Sequence, residues 1–186
     1  SLKANSNPEV VKCLRSFGAW ADVASFNELK IALECGYIGE QIEFTGPGKS
    51  EEALRLAVKN DLASIVVESH QELECINEIC RELNVQANIS VRVNPRQYFA
   101  HNGKVVKSSS TQFGIDEEDL PAFFDDLSKM EKINFVGAHV FTQSQYLNAK
   151  PLMQNLELAF EIAKLAVKYS GQPLKIVNLG GGFGIP

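Results

Sequence analysis

Residues 64–95 read SIVVESHQELECINEICRELNVQANISVRVNP. Ser64 to Glu68 is a run rich in β-branched residues and reads as a strand. Leu73, Ile76, Ile79 and Leu83 then recur at helical spacing, and Ile89 to Val93 returns to a strand that Asn94-Pro95 ends. A strand, a helix and a second strand in so short a span form the unit that sets neighbouring strands parallel, with the helix covering one face.

The same alternation extends in both directions. Asn7-Pro8 reads as an N-cap followed by proline at the first helical position; Val10, Val11, Leu14 and Phe17 share a face, and Gly18 stops the helix. A short run, Ala19 to Ala24, follows. Ser25 to Glu28 has the form of a capping box and opens a helix carrying Leu29, Ala32 and Leu33. Ile42 to Thr45 is a strand, and Ser50 with Glu51 and Glu52 starts a helix where the dipole favours carboxylates. Downstream, Asp116 caps a helix bearing Leu120, Phe123, Phe124 and Leu127; Phe135 to Phe141 is a strand, Leu152 to Val167 a helix and Ile176 to Leu179 the last strand. Arg96 to Thr111, with Asn102-Gly103 and a serine run, reads as a mobile polar loop beside the site. With the start of the chain taken as a strand end, about seven βα units are expected, one short of a closed TIM (β/α)8 barrel of the α/β class. No linker divides the chain. The opening without methionine and the final turn lead us to expect one truncated barrel domain, residues 1–186, of a longer polypeptide.

A net charge of −5 over 186 residues argues against a nucleic-acid surface, which needs clustered positive charge. No stretch is apolar for long enough to cross a bilayer. Cys13, Cys35, Cys75 and Cys80 include no C-x-x-C pair, so free thiols in a reducing cytoplasm are expected and no metal site is.

In a barrel, chemistry gathers at the carboxyl ends of the strands. Lys3, Asp22, Thr45, Glu68, Arg92, His139 with Phe141, and Gly180 to Gly182 all stand there. Glycines directly after a strand let backbone N–H groups approach a phosphate with no side chain in the way. Ile185 stands where a dinucleotide fingerprint needs its last glycine, and Glu43 where a Walker A loop ending at Gly48-Lys49-Ser50 needs its first, so neither motif is present. A lysine near such a turn, desolvated or beside positive charge, can present a neutral amine able to form a Schiff base. Arg92 supplies a permanent cation for an oxyanion, or a salt bridge across the barrel mouth. His139 and Phe141 are two apart and share a side of their strand, as core residues or as an aromatic support for a flat ring.

Six stretches, taken together, resemble the alanine-racemase-like group of decarboxylases acting on ornithine, arginine and diaminopimelate. They are Ser1 to Asn5, Ala21 to Ser25, Phe44 to Lys49, Val91 to Pro95, Gln112 to Ile115 and Leu179 to Gly184. The resemblance implies pyridoxal 5'-phosphate (PLP) as cofactor, carried by Lys3 as an aldimine. Gly180, Gly181 and Gly182 would hold its phosphate with help from Ser144, and Arg92 and Asp22 would lie near the ring and its phenolic oxygen. It implies a cytoplasmic homodimer in the full-length protein, with the pyridine-nitrogen partner, a further phosphate loop and a β-domain following Pro186. The family's H-x-H-I-G-S run is here His139-Val140-Phe141-Thr142-Gln143-Ser144, so Phe141 takes the ring-stacking position and Gln143 replaces a glycine; Gln112 replaces a lysine. This version resembles a branch associated with exopolysaccharide-type gene clusters and carrier-protein-linked amino acids. The expected activity is therefore decarboxylation of a free or carrier-linked amino acid. A racemase, which would face the ring nitrogen with an arginine, a non-catalytic PLP-binding homologue and a PLP-free phosphate-binding barrel are the competing readings.

Overall fold

A computed structural model describes residues 1–109 and 111–186; of the serine run, Ser110 lies outside the described residues. The chain forms two compact units, residues 1–89 with 130–134, and residues 90–129 with 135–186.

In the first unit a 3-10 turn, Leu2–Ala4, precedes α1 (Pro8–Ser16), β1 (Ala21–Val23), α2 (Phe26–Glu34), a second 3-10 turn (Gly39–Gln41), β2 (Ile42–Phe44), α3 (Glu51–Lys59), β3 (Ser64–Val67) and α4 (His70–Leu83). β1 pairs with β2 in parallel, Ala21 beside Ile42 and Val23 beside Phe44, and β2 pairs with β3, Phe44 beside Ile65. The caps read from the sequence form. Asn7 Oδ1 accepts from the Glu9 N–H, Ser25 Oγ from that of Glu28, and Ser50 Oγ from that of Ala53. Glu28 closes its box by accepting from the Ala24 N–H at 2.9 Å. Phe44, Ile42, Leu29, Leu54, Ile65, Leu73, Ile76 and Ile79 are fully buried between strands and helices; each such side chain contributes about 1.5–3 kcal/mol by leaving water.

Two expectations fail here. The chain does not open on a strand end: the Ala4 N–H donates to Ser1 O at 3.3 Å, so the opening residues close a turn on themselves. The face of α1 is also not core. Val11 is buried, whereas Val10, Leu14 and Phe17 are exposed, because α1 turns only the Val11 side onto the unit.

The second unit contains β4 (Ala87–Asn94, its first three residues in the first unit), β5 (Gln97–Phe99), β6 (Val105–Lys107), β7 (Ile115–Asp116), a 3-10 turn (Glu117–Asp119), α5 (Leu120–Leu127), β8 (Ile133–Val140, its first two residues in the first unit), α6 (Ala149–Ser170) and β9 (Ile176–Asn178). β7 lies parallel to β4, and β9 parallel to β8 with His139 beside Asn178. Phe124 packs edge-on against Phe123 and Phe135, with ring centroids 5.4 and 5.0 Å apart.

Arg96 to Thr111 is not the structureless loop its composition suggests. β5 and β6 form an antiparallel hairpin, Gln97 beside Lys107 and Phe99 beside Val105. Asp116 does not cap α5 either: it precedes the 3-10 turn, and its carboxylate accepts from Asn94 Nδ2 at 2.6 Å, so its charge tethers β7 to β4. Six of the seven expected strands are therefore present, with β7 added as a short parallel partner of β4.

Candidate functional site

Lys3 and Asp22 belong to the first unit; Arg92, Phe141, Ser144, Gly180, Gly181 and Gly182 belong to the second. Lys3 is exposed on the opening turn, which packs against β1 and is pinned by the buried Leu2. Asp22, half-buried at the centre of β1, accepts a hydrogen bond from Thr45 Oγ1 at 2.8 Å. Its register partner on β2 is Glu43, so two acidic residues stand side by side on one face of the sheet. In the sequence Glu43 serves only to exclude a nucleotide loop. The signal that could have found it is an acid alternating with the apolar Ile42 and Phe44.

In the second unit β9 ends in the glycine turn. Gly180 to Gly182 have φ of 81°, 131° and 86°, the region that favours glycine. The Gly180 N–H donates to Asn178 Oδ1 at 2.9 Å and the Gly181 N–H to Leu179 O at 3.0 Å. Those two amides are engaged within the turn itself. This leaves the Gly182 amide, with the side chains of Ser144 and Gln143, as donors for an anion. A Cβ on Gly180 would lie 2.7 Å from Val140 O and 2.9 Å from Phe141 Cδ2, one on Gly182 would overlap Gln143 O, and one on Gly181 would meet nothing within 4 Å. The turn is thus packed against residues 140–143 on one side and open on the other.

Tyr146 fixes that packing. Its N–H donates to Gly182 O at 2.9 Å, its carbonyl accepts from the Gly184 N–H at 3.0 Å, and its hydroxyl donates to Phe99 O at 2.6 Å. Burial pushes the Tyr146 phenol above its usual range, with hydrogen bonds from Thr142 and Asn155 opposing. Asn155, buried on α6, accepts from the Phe99 N–H and donates to Phe99 O. Ser144 is exposed, and its carbonyl lies 2.9 Å from His101 Nε2 in the hairpin's turn.

The Arg92 guanidinium lies 4.7 Å from the ring centre of Phe113 and 6.0 Å from that of Phe141. Phe113 is invisible as a partner in the sequence, because no local pattern links it to Arg92. His139 is buried. A separate cleft of about 280 Å³, lined by Asn94, Arg96, Lys107, Asp116 and Glu117 among others, contains none of the candidates; within it Arg96 Nε lies 3.2 Å from Glu118 Oε1.

These residues fit a phosphate-bearing group. The glycines leave an open-sided cradle, Ser144 stands beside it, and Gln143 Oε1 is buried with no hydrogen-bond partner among the described residues. The two ends of that amide exchange by a flip, so it can present a donor there. Parallel strands with covering helices in each unit, and a glycine turn after β9, define a parallel β/α protein able to hold a phosphate-bearing group.

The family model described as "Pyridoxal-dependent decarboxylase, pyridoxal binding domain" matches residues 1–186, and the chain belongs to that family, whose cofactor is PLP. It is 34% identical over 186 residues to an L-glutamyl-[BtrI acyl-carrier protein] decarboxylase of Niallia circulans and 34% identical over 186 residues to a diaminopimelate decarboxylase of Aquifex aeolicus. In each case the match covers 100% of this chain and 44% of the relative. The crystal structure of diaminopimelate decarboxylase from Helicobacter pylori complexed with L-lysine matches with a TM-score of 0.85 at 31% identity, covering 99% of this chain and 47% of that one. The chain spans less than half the length of the curated relatives it matches.

Proposed function

We propose that this chain is the cofactor-holding barrel domain of a PLP-dependent amino-acid decarboxylase, with Lys3 as the anchoring lysine. The observation that carries the reading is the open-sided glycine turn at Gly180 to Gly182, packed against Phe141, in a chain of the pyridoxal-binding family. The bound cofactor supplies an electron sink for cleavage of the bond to the carboxylate. Lys3 would hold the cofactor through its side-chain amine. The Gly182 amide, Ser144 and Gln143 would hold the phosphate. Arg92 would offer its cation to an oxyanion, and Asp22, oriented by Thr45, would face the ring.

The substrate class is an amino acid, free or tethered to an acyl-carrier protein. The tethered form is favoured by the similarity to the carrier-protein decarboxylase and by Phe141 in place of a titratable side chain. The reading extends to a cytoplasmic homodimer; among the described residues no helix is long and apolar enough to cross a membrane.

The test uses full-length protein. We expect visible absorbance that borohydride bleaches, its loss in Lys3→Ala, and carbon dioxide release from an amino-acid panel that includes thioester-linked substrates. A borohydride-reducible adduct persisting in Lys3→Ala would refute the assignment of Lys3. Racemisation without carbon dioxide release would refute the decarboxylase.

A further inference from the structure

We infer that His101, in the turn of the β5–β6 hairpin, is a positioning residue for the phosphate end of the site: by bonding the Ser144 carbonyl it holds residues 144–146 in place beside the glycine turn. This rests on the reading of Ser144 and the glycine turn as the phosphate cradle.

Residues 144–146 are caught between two neighbours. On one side runs the end of the glycine stretch. The Tyr146 N–H donates to Gly182 O at 2.9 Å, Tyr146 O accepts from the Gly184 N–H at 3.0 Å, and Gln145 Oε1 accepts from the Ile185 N–H at 3.2 Å. On the other side is the hairpin. The Tyr146 hydroxyl donates to Phe99 O at 2.6 Å, and His101 Nε2 lies 2.9 Å from Ser144 O. A carbonyl only accepts, so Nε2 carries the proton and donates it. The His101 ring also meets the Tyr146 ring edge-on, with centroids 5.0 Å apart, which sets the direction of that N–H. Ser144 and Tyr146 thus each take a contact from the hairpin, on either side of Gln145.

Gln145 shows why those contacts are needed. Its φ of 62° lies in the left-handed region, which a residue with a Cβ enters at a cost. Such a conformation persists where the surroundings hold it, and it recurs where a chain positions groups for a ligand. Relaxation of Gln145 to an ordinary φ would turn the neighbouring peptides and carry the Ser144 hydroxyl with them. The contacts of Tyr146 hold one end of this kink, and His101 holds the other. Coupling of this kind is reciprocal, so a phosphate seated in the cradle should in turn tighten the hairpin.

Full-length wild type, His101→Phe and His101→Gln are titrated with PLP and, separately, with pyridoxal, which lacks the phosphate; each dissociation constant is read from absorbance. His101→Phe keeps an aromatic edge against Tyr146 and loses the donor. PLP should then bind about threefold more weakly, the size of one exposed hydrogen bond, with pyridoxal unchanged. His101→Gln, whose amide nitrogen reaches the position of Nε2, should restore the wild-type constant. In a Ser144→Ala background His101→Phe should change PLP binding less than it does in wild type. Equal losses for both ligands, no loss for PLP, no recovery in His101→Gln, or an undiminished effect in the Ser144→Ala background would overturn the inference.

Amide exchange without cofactor gives a second readout. His101→Phe should speed exchange at Tyr146 and Gly184, whose N–H groups join this segment to the glycine stretch. A change confined to residues 97–107 would overturn the positioning role even if wild type proved not to bind PLP. Failure of wild type to bind would instead count against the function proposed above.

Discussion

Cys80 lies fully buried on the core face of α4, and that burial pushes its thiol up to about 11. The thiolate is the reactive form, so a buried thiol with a raised pKa is inert. Cys13, on α1, is exposed. A thiol reagent at neutral pH should therefore modify Cys13 rapidly and leave Cys80 unmodified until the protein unfolds; peptide mapping after brief labelling checks this, and early labelling of Cys80 would contradict the burial. The same shift bears on stability. Between pH 9 and about 11 an unfolded chain loses the Cys80 proton while the folded one keeps it, so this group's contribution falls as pH rises through that window and is intact below it. Urea unfolding of wild type and Cys80→Ala should converge from pH 9 to 11. Residues of this kind explain what is readable along the chain. Lys3, Arg92 and the glycines at 180–182 announce themselves by type and position, but the pairing of Arg92 with Phe113 arises only when β4 and the segment before β7 come side by side.

Elements are held to one another here by buried polar contacts as much as by packing. Lys49, just before α3, is almost completely buried; its ammonium donates to Gly46 O and Val66 O at 2.7 Å and to Glu72 Oε1 at 2.9 Å, while Glu72 Oε2 accepts from the Glu68 N–H. Burial raises the Glu72 carboxyl, and Lys49 beside it pulls it back. The Gly48-Lys49-Ser50 run that resembles a nucleotide loop is thus a clasp joining the turn after β2, the end of β3 and the first turn of α4. Glu72→Gln leaves that cation buried without its counter-charge and should cost about 3 kcal/mol, measured by chemical denaturation; a loss near zero would mean that water reaches Lys49. In the second unit, Tyr146→Phe removes the hydroxyl that donates to Phe99 O and accepts from Asn155 Nδ2. About 1–3 kcal/mol should be lost, with faster amide exchange in both the β5–β6 hairpin and the glycine turn; exchange changes confined to the hairpin would sever the proposed link. These anchors also explain why helices are readable and the hairpin is not. α4 carries its own evidence in the spacing of Leu73, Ile76 and Ile79. The hairpin's evidence sits far along the chain, at Tyr146 and Asn155, and Asn102-Gly103 alone is outweighed by the polar residues around it. The opening turn misleads for a related reason, since three residues cannot signal whether a neighbour will extend them into a ladder.

Each unit has its own buried core, yet each also leaves an apolar helix face in water. On α1 and just beyond it Leu14, Phe17 and Trp20 are exposed, Phe17 by 83%. Along α6, Met153, Phe160 and Val167 are exposed at intervals of seven residues, which keeps them on a single stripe. Contiguous exposed apolar surface of this kind drives association unless something covers it, and a net charge of −5 is a weak opposing force at ordinary salt. Residues 1–186 prepared alone should therefore bind a hydrophobic dye and sediment with a weight that rises with concentration. Replacing Phe17 and Phe160 by serine should reduce both effects, and because these side chains are exposed it should leave the melting temperature nearly unchanged. A protein of the relatives' length has more than as much chain again with which to cover the same faces, so the full-length form should bind little dye before unfolding. A dye-silent monomer of residues 1–186 would show that these stripes are tolerated in water. Strong dye binding by the folded full-length protein would show instead that they stay open for another partner.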